Sequence, residues 1–106
     1  MLANDRAFFE FSQQLATTVL HSKLEGDSDR IKLAFQRCLS RDPSVYELSR
    51  LQQYVELQRK RYTANTEAAE AASPSVLPDG ISKVEGAAWT ATARVLLNLD
   101  EFITRE

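Results

Sequence analysis

The residues of this chain that could do chemistry are few, and they do not fall at the spacings of a catalytic or metal site. The only histidine is His21 and the only cysteine is Cys38, and no cysteine or carboxylate stands at ligand spacing from His21. Ser12, His21 and Asp27 can be written as a Ser-His-Asp set, but the G-x-S-x-G turn that exposes a nucleophilic serine is absent. Cys38 lies within the apolar stripe of a predicted helix, where a thiol behaves as a small hydrophobic side chain. The sequence therefore predicts no catalytic residue and no metal ligand.

Motifs for phosphate-bearing and haem cofactors are also missing from the sequence. It has no glycine-rich phosphate loop and no C-x-x-C-H motif for covalent attachment of haem. The acidic pairs Asp27/Asp29 and Asp100/Glu101 are typical of helix caps and solvated surface rather than of acid–base catalysis. Non-covalent haem would have to use His21 at a helix end, and a single ligand candidate is weak support. We expect the chain to bind no cofactor by itself.

The charge balance argues against polyanionic partners. The formal net charge is −2 and the isoelectric point is about 5.4, which gives no general attraction to nucleic acid or to an anionic membrane. The basic run Arg59-Lys60-Arg61 lies at the end of a predicted helix, where cations meet the negative end of the helix dipole. No apolar run is long enough to span a bilayer, and the charged start of the chain does not have the pattern of a signal peptide. We expect neither a nucleic-acid partner nor a membrane span.

The composition favours a single all-α domain. The chain has 106 residues, of which 43% are hydrophobic and 26% charged, with only three glycines and three prolines. Apolar residues recur at helical spacing, and no segment alternates as a strand would. We predict a small bundle of four main helices and one short helix. The predicted elements are a helix from Asn4 to about Lys23, a helix capped by Asp27 or Ser28 and ending near Ser40, a helix from Val45 to about Ala64, a short helix over 67–72 capped by Thr66, a loop from Ser73 to Ser82, and a helix from Val84 to Glu106.

Local signals place several helix ends. The strongest is the S-x-x-E capping box formed by Ser44 and Glu47, in which each residue satisfies a backbone N–H near the other. Ser82 and Glu85 form a second S-x-x-E pattern at the start of the last helix. Gly26 is predicted to terminate the first helix, within the turn that follows it. The short fourth helix has strong helical propensity and little to bury.

The last predicted helix is apolar on two sides. One face carries Val84, Ala88, Ala91, Val95, Leu99 and Phe102, and the other carries Trp89, Ala93, Leu96 and Leu97. A helix with two apolar faces needs neighbours on both of them, so we predict that it is the central helix of the bundle. The alternative is an ordinary amphipathic helix that meets a second copy in a homodimer.

The first predicted helix has more aromatic residues than one buried face can accommodate. Its inward face is predicted to hold Phe8, Phe11, Leu15 and Val19. Phe9 then points away from the bundle axis and is a candidate for contact with another domain or chain. The full set of candidate interaction residues is Phe9, Trp89, Asn98, Asp100 and Phe102. The competing interpretation is that Asn98 and Asp100 only terminate the last helix while Phe102 folds back on it.

Three segments together resemble a known family over essentially the whole chain. They are the opening LANDRAFFEFSQQLA, the middle IKLAFQRCLSRDPSVYELSRLQQYVELQR and the closing AAWTATARVLLNLDEFITRE. The opening fits an L-x-N-D-x-x-F start, and the middle fits an A-F-x-x-x-L helix, an R-x-P-[ST] break and an E-L-x-x-L helix. The closing segment is the most specific of the three. The chain resembles a planctomycete-specific domain of unknown function that stands at the C-terminus of large proteins carrying cytochrome-c-like domains.

The resemblance implies a role but no site. It would make this chain the C-terminal part of an exported or periplasmic multidomain protein, and it supplies no catalytic residue to carry over. The haem motif of such proteins belongs to another domain. We therefore expect a non-catalytic structural or protein-interaction module whose partners are other domains of the parent protein or a second copy. The alternative is an accessory or substrate-binding part of a redox enzyme or hydrolase whose active site lies upstream.

Overall fold

The computed structural model describes the backbone of residues 6–104 and the side chains of residues 6–99. Within this part of the chain there are five helices and no strand, so the predicted all-α bundle of four main helices and one short helix is confirmed. The helices are α1 (Arg6–Leu20), α2 (Asp27–Leu39), α3 (Val45–Ala64), α4 (Thr66–Ala72) and α5 (Lys83–Thr104). The predicted cap Asn4 lies outside the described residues.

Helix α5 is the centre of the bundle, as its two apolar faces predict. It packs against each of α1, α2, α3 and α4. Trp89 is 2% exposed and Leu96 is fully buried. Small residues on the same helix, such as Ala87 and Ala88, are also fully buried, and they allow neighbouring helices to approach closely. Buried hydroxyls of α5 donate hydrogen bonds within the same helix; for example, Thr90 donates to the Gly86 carbonyl at 2.8 Å.

Helix α1 turns a different face to the core from the one that its aromatic residues suggest. Its buried residues are Phe8, Ser12, Ala16, Val19 and Leu20, whereas Phe11 is 60% exposed. The prediction that Phe11 faces inward is therefore wrong. The small residues Ser12 and Ala16 occupy the middle of the buried face, which suits close packing of α1 along α5. The Ser12 hydroxyl donates to the Phe8 carbonyl at 3.0 Å, so its burial leaves no polar atom without a partner.

The ends of the first two helices differ from the prediction. Helix α1 ends at Leu20 rather than near Lys23, and Lys23 itself adopts a left-handed backbone with φ of 68°. The N-cap of α2 is Gly26, which has no side chain with which to cap the helix. Asp27 is thus the first helical residue rather than the cap. Because its carboxylate binds an arginine of α3, it is not available to cap α2.

The remaining helix starts follow their local signals more closely. Both hydrogen bonds of the Ser44–Glu47 capping box are present. Helix α4 is capped by Asn65, whose side chain accepts from the backbone N–H of Ala68 at 3.1 Å. The predicted cap, Thr66, is one residue too late, because asparagine is the stronger capping residue of the two.

Helix α4 has little to bury, as its composition predicts, and Ala69 is its one buried residue. Ala69 is 1% exposed and packs in a small cluster with Tyr62 and Ala87. The loop after α4 then crosses α5 at Gly86, where an added Cβ would lie 2.3 Å from the Ser73 hydroxyl oxygen. Any larger residue would require the Ser73 side chain to shift.

Among the helices, as far as the structure describes them, none combines the length and the apolar character that crossing a membrane requires.

Candidate functional site

A cluster of charged residues holds α3 against α2 and α5. The Arg59 guanidinium donates two hydrogen bonds of 2.7 Å to the two carboxylate oxygens of Asp27. It also binds the Glu85 carboxylate, at 2.5 and 3.1 Å. Glu85 accepts a further hydrogen bond of 3.2 Å from the indole N–H of Trp89 and lies 3.8 Å from Arg30. We call these five residues the Arg59 cluster.

The Arg59 cluster explains why the second predicted capping box is only half formed. Ser82 accepts from the backbone N–H of Glu85 at 3.2 Å, but the Glu85 carboxylate turns to Arg59 and Trp89 instead. The Arg59 hydrogen bonds lower the pKa of Asp27 below its ordinary value, while burial opposes the shift. The hydrogen bonds that Arg59 donates to Asp27 and Glu85 raise the pKa of Arg59. All of these groups have partners, so the cluster has a structural role.

A cleft on another side of α3 has different chemistry. It has a volume of about 280 Å³ and lies between α3 and α5, with α1 and the end of α4 at its edges. Its polar groups come from Tyr54, Arg61, Tyr62, Arg94 and Asn98, and Phe9 lines it from α1. We call these six residues the arginine–tyrosine cleft.

Helical spacing brings these side chains together. Tyr54, Arg61 and Tyr62 stand at positions i, i+7 and i+8 of α3, which share one face. Arg94 and Asn98 are one turn apart on α5. The cleft therefore depends on the packing of α3 along α5, which the Arg59 cluster helps to fix.

The electrostatics of the cleft are one-sided. Arg94 and Arg61 both line the cleft and have no carboxylate partner among the described residues, unlike Arg30, Arg41 and Arg59. Arg6, Arg37 and Arg50 also lack such a partner, but they do not line the cleft. The Arg94 guanidinium lies 6.0 Å from the centre of the Phe8 ring. No carboxylate of residues 6–99 lines the cleft. Two positive charges thus converge on one concavity of a chain whose net charge is negative.

Arg61 is held by neutral groups on its own helix. It donates to the Gln58 side-chain oxygen at 3.3 Å and stacks 5.4 Å from the centre of the Tyr62 ring. These contacts orient the guanidinium without neutralising its charge. Its remaining N–H groups are available to a ligand in the cleft.

Tyr54 adds a neutral donor beside the two cations. Burial and the neighbouring Tyr62 phenol raise its pKa, while the positive charges of Arg61 and Arg94 pull it in the opposite direction. The net shift is upward, so the Tyr54 hydroxyl keeps its proton at neutral pH and can donate it. The arrangement of donors is suited to binding an oxyanion.

The predicted interaction residues fall in three different environments. Phe9 is half-buried and Asn98 is exposed, and both line the arginine–tyrosine cleft. Trp89 is 2% exposed, with its indole N–H bound to Glu85, so its ring is covered within this chain. Asp100 and Phe102 lie outside the residues whose side chains are described, and their predicted role stays a prediction.

The other residues of the cleft were not predicted from the sequence. Arg94 is the only charged residue between Gly86 and Leu99, and an isolated charge in an apolar helix was the available signal. Arg61 belongs to the basic run 59–61, which was already explained by the favourable position of cations at a helix C-terminus. The sequence gives no direct sign that residues 54, 61 and 94 meet.

The single histidine and the single cysteine take no part in the cleft. His21 is exposed and its ring Nδ1 donates to the Thr17 carbonyl at 2.9 Å. Cys38 is half-buried and packs against the main core. Within the described part of the chain, no three histidine, cysteine or acidic side chains lie close enough to hold a metal ion.

Two further grooves have mixed linings. The larger, about 510 Å³, runs between α1 and the loop at 74–76 and presents mainly glutamine and threonine side chains with Glu10. The other, about 440 Å³, combines Lys23 and Arg30 with Glu25 and Asp79. Neither concentrates one sign of charge as the arginine–tyrosine cleft does.

Comparison of the chain with protein-family models, with curated proteins and with solved structures finds no match in any of the three.

Proposed function

We propose that this chain is a non-catalytic protein-interaction module, and that it binds its partner at the arginine–tyrosine cleft. The partner is another domain of the same larger protein. In keeping with the sequence resemblance, the parent is an exported protein that also carries cytochrome-c-like domains.

The observation that carries the proposal is the pair of guanidinium groups in the cleft. Arginine is enriched in protein interfaces because it combines charge, several donors and a planar surface. Elsewhere in the fold Arg30, Arg41 and Arg59 are used to join elements of this chain. Several other described arginines also lack a carboxylate partner, but only Arg61 and Arg94 line the cleft together.

The apolar side of the cleft supports the same proposal. Phe9 lies half-buried at the edge and gives a partner an aromatic surface beside the charges. Interfaces commonly combine a few aromatic and arginine anchors with a polar rim. Asn98, which is exposed, provides such a polar contact.

Photo-crosslinking in cells tests the proposal. The full-length protein is expressed with p-benzoyl-phenylalanine in place of Phe9, irradiated, digested and analysed by mass spectrometry. The matched control carries the same group in place of Val76, which is 72% exposed and lies on the groove between α1 and the 74–76 loop.

The expected result is one dominant adduct from position 9, to a peptide of another domain of the parent protein, that is absent from the control. An adduct to a second copy of this chain would replace the inter-domain partner with a homodimer. The same background at positions 9 and 76 would refute the interaction module.

A further inference from the structure

We propose that the arginine–tyrosine cleft recognises a side-chain carboxylate, presented by an acidic residue in an exposed segment of the partner. This inference rests on the proposed function, because it names the group that occupies the same cleft. The supporting observations are the identity of the donors, the size of the cleft and the charge of the surrounding chain.

The donors match a carboxylate. Arg61 and Arg94 approach from two helices, so one carboxylate can lie between two guanidinium groups. Tyr54 and Asn98 supply a hydroxyl and an amide N–H next to them. Hydrogen bonds from charged donors to a carboxylate are about twice as strong as those between neutral groups.

The size of the cleft favours a single side chain. Its volume of about 280 Å³ lies at the lower edge of the roughly 300–1,000 Å³ of small-molecule pockets. A glutamate or aspartate side chain, with its backbone running along the edge formed by Phe9, fits this concavity. A larger ligand would have to project out of it.

The charge distribution argues against an extended polyanion. Nucleic acid binding requires several cations along a stripe, whereas the cleft has two and the chain as a whole has a net charge of −2. A single acidic side chain benefits from the two local charges and brings little further negative charge to the rest of the surface.

The exposure of both guanidiniums makes the interaction selective rather than tight. Arg61 and Arg94 are exposed at the mouth of the cleft, so they stay partly hydrated and their charge is screened by salt. We expect a blocked peptide to bind weakly. Removing one guanidinium should weaken binding about threefold to fivefold, which is the upper range expected for one exposed ion pair.

The experiment is a titration of the 15N-labelled chain followed by NMR, with the side-chain N–H signals of Arg61, Arg94 and Asn98 as reporters. The main probe is an acetylated and amidated pentapeptide with a central glutamate between glycine and serine residues. The matched probe has glutamine in place of that glutamate. Glutarate and inorganic phosphate are two further probes, which separate a peptide carboxylate from a small dicarboxylate and from a phosphate.

Variants test the placement of the site. Arg94→Gln and Arg61→Gln each remove one cation of the cleft. Lys60→Gln is the matched control, because Lys60 is exposed, adjoins Arg61 in sequence and does not line the cleft. Arg94→Lys keeps the charge but loses the planar donor fork, so it should fall between Arg94→Gln and the original chain.

The expected result is that the glutamate peptide shifts the reporter signals and binds at least about tenfold more tightly than the glutamine peptide. Arg94→Gln and Arg61→Gln should each weaken it about threefold to fivefold, and Lys60→Gln less than twofold. Equal binding of the two peptides, tighter binding of phosphate, or equal effects of Arg94→Gln and Lys60→Gln would overturn the inference. Glutarate binding as tightly as the peptide would support the carboxylate chemistry and assign the cleft to a small substrate, the role of an accessory part of an enzyme.

Combining the two experiments separates this inference from the proposed function. The photo-crosslink from position 9 is repeated in a chain that also carries Arg61→Gln and Arg94→Gln. An adduct that persists at full yield would keep the interaction module and overturn the carboxylate. Carboxylate binding without any adduct would refute the protein partner and keep the carboxylate site.

Discussion

Replacing Arg59 with methionine should destabilise the protein strongly, although the Arg59 side chain is partly exposed. Methionine keeps much of the length and the helical propensity of arginine, so the change removes charge and hydrogen bonds more than packing. The substitution leaves Asp27 without its only described ion-pair partner. Glu85 retains the Trp89 indole and the more distant Arg30.

The magnitude follows from the exposure of the three charged groups. The Arg59, Asp27 and Glu85 side chains are 23%, 26% and 24% exposed. An exposed ion pair contributes up to about 1 kcal/mol, and loss of one partner of a fully buried pair costs about 3–5 kcal/mol. With about a quarter of each side chain exposed, we expect a loss of about 2–3 kcal/mol in the free energy of unfolding. For a chain of this size that corresponds to a fall in Tm of about 10–15 °C.

The assay is urea unfolding at pH 7, followed by circular dichroism at the helical minimum and by Trp89 fluorescence. Trp89 is 2% exposed in the folded protein, so its emission shifts to the red when the core opens. Lys60→Met is the matched control, since Lys60 is exposed on the same helix, and it should change stability by less than about 0.5 kcal/mol. A double-mutant cycle of Arg59→Met with Asp27→Asn should give a coupling free energy of about 1 kcal/mol or more.

Two outcomes would refute this reasoning. One is a loss for Arg59→Met no larger than that for Lys60→Met, which would mean that the cluster behaves as an exposed surface pair. The other is additivity of Arg59→Met and Asp27→Asn, which would mean that the two groups do not interact in solution.

The remaining predictions concern the loop crossing, the start of α3 and the cleft. Gly86→Ala should lower the free energy of unfolding by about 1 kcal/mol, measured by thermal unfolding. Overpacking against Ser73 costs about 1–3 kcal/mol, which outweighs the gain of about 1 kcal/mol in helical propensity. A rise in Tm would contradict the close approach of Ser73 to Gly86. The hydrogen bonds from Arg41 and from the α3 cap lower the pKa of Glu47 from its ordinary value of 4.5 to about 2. A carboxyl pKa that is lowered in the folded protein adds stability at pH values above the pKa of the unfolded chain, and this stability is lost as the pH falls. Glu47→Gln should therefore have a lower urea midpoint than the original chain at pH 7 and nearly the same midpoint at pH 2. A constant difference between the two midpoints from pH 7 to pH 2 would contradict this. Arg94→Gln should leave the urea midpoint within error, because Arg94 is exposed and has no ion pair among the described residues.

The helices themselves were predictable where the signals are local. The limits of α3 follow from sequence, because Pro43 prevents helix before it and the Ser44–Glu47 box satisfies its first N–H groups. The central place of α5 follows from its two apolar faces. Both features depend on residues a few positions apart, and the rest of the fold does not oppose them.

Long-range partners explain most of what was missed. Asp27 was interpreted as a helix cap and Glu85 as the glutamate of a capping box with Ser82, and each could have that role in an isolated segment. In the folded chain Arg59 binds both, across sequence separations of 32 and 26 residues. Such pairing depends on how α2, α3 and α5 pack, which no local pattern specifies.

The basic run 59–61 shows the same limit at a single turn of helix. Consecutive residues point about 100° apart on an α-helix, so Arg59 reaches Asp27, Lys60 is exposed and Arg61 enters the cleft. The interpretation of the run as cations at a helix C-terminus therefore applies to Arg61, which lies in the last turn of α3, whereas Arg59 forms ion pairs with other helices. Phe9 and Asn98 were named separately, and only the packing of α1 with α5 places them in the same concavity.

The order of the helices along the chain affects how this protein folds as it is synthesised. The element that all the others surround, α5, is translated after the four helices that pack on it. A ribosome that has not passed Trp89 has not yet supplied the largest of the fully buried side chains in the described part of the chain. Until α5 has been made and has left the ribosome, α1 to α4 lack the helix on which all four bury apolar side chains, so part of their apolar surface stays exposed to chaperones and proteases.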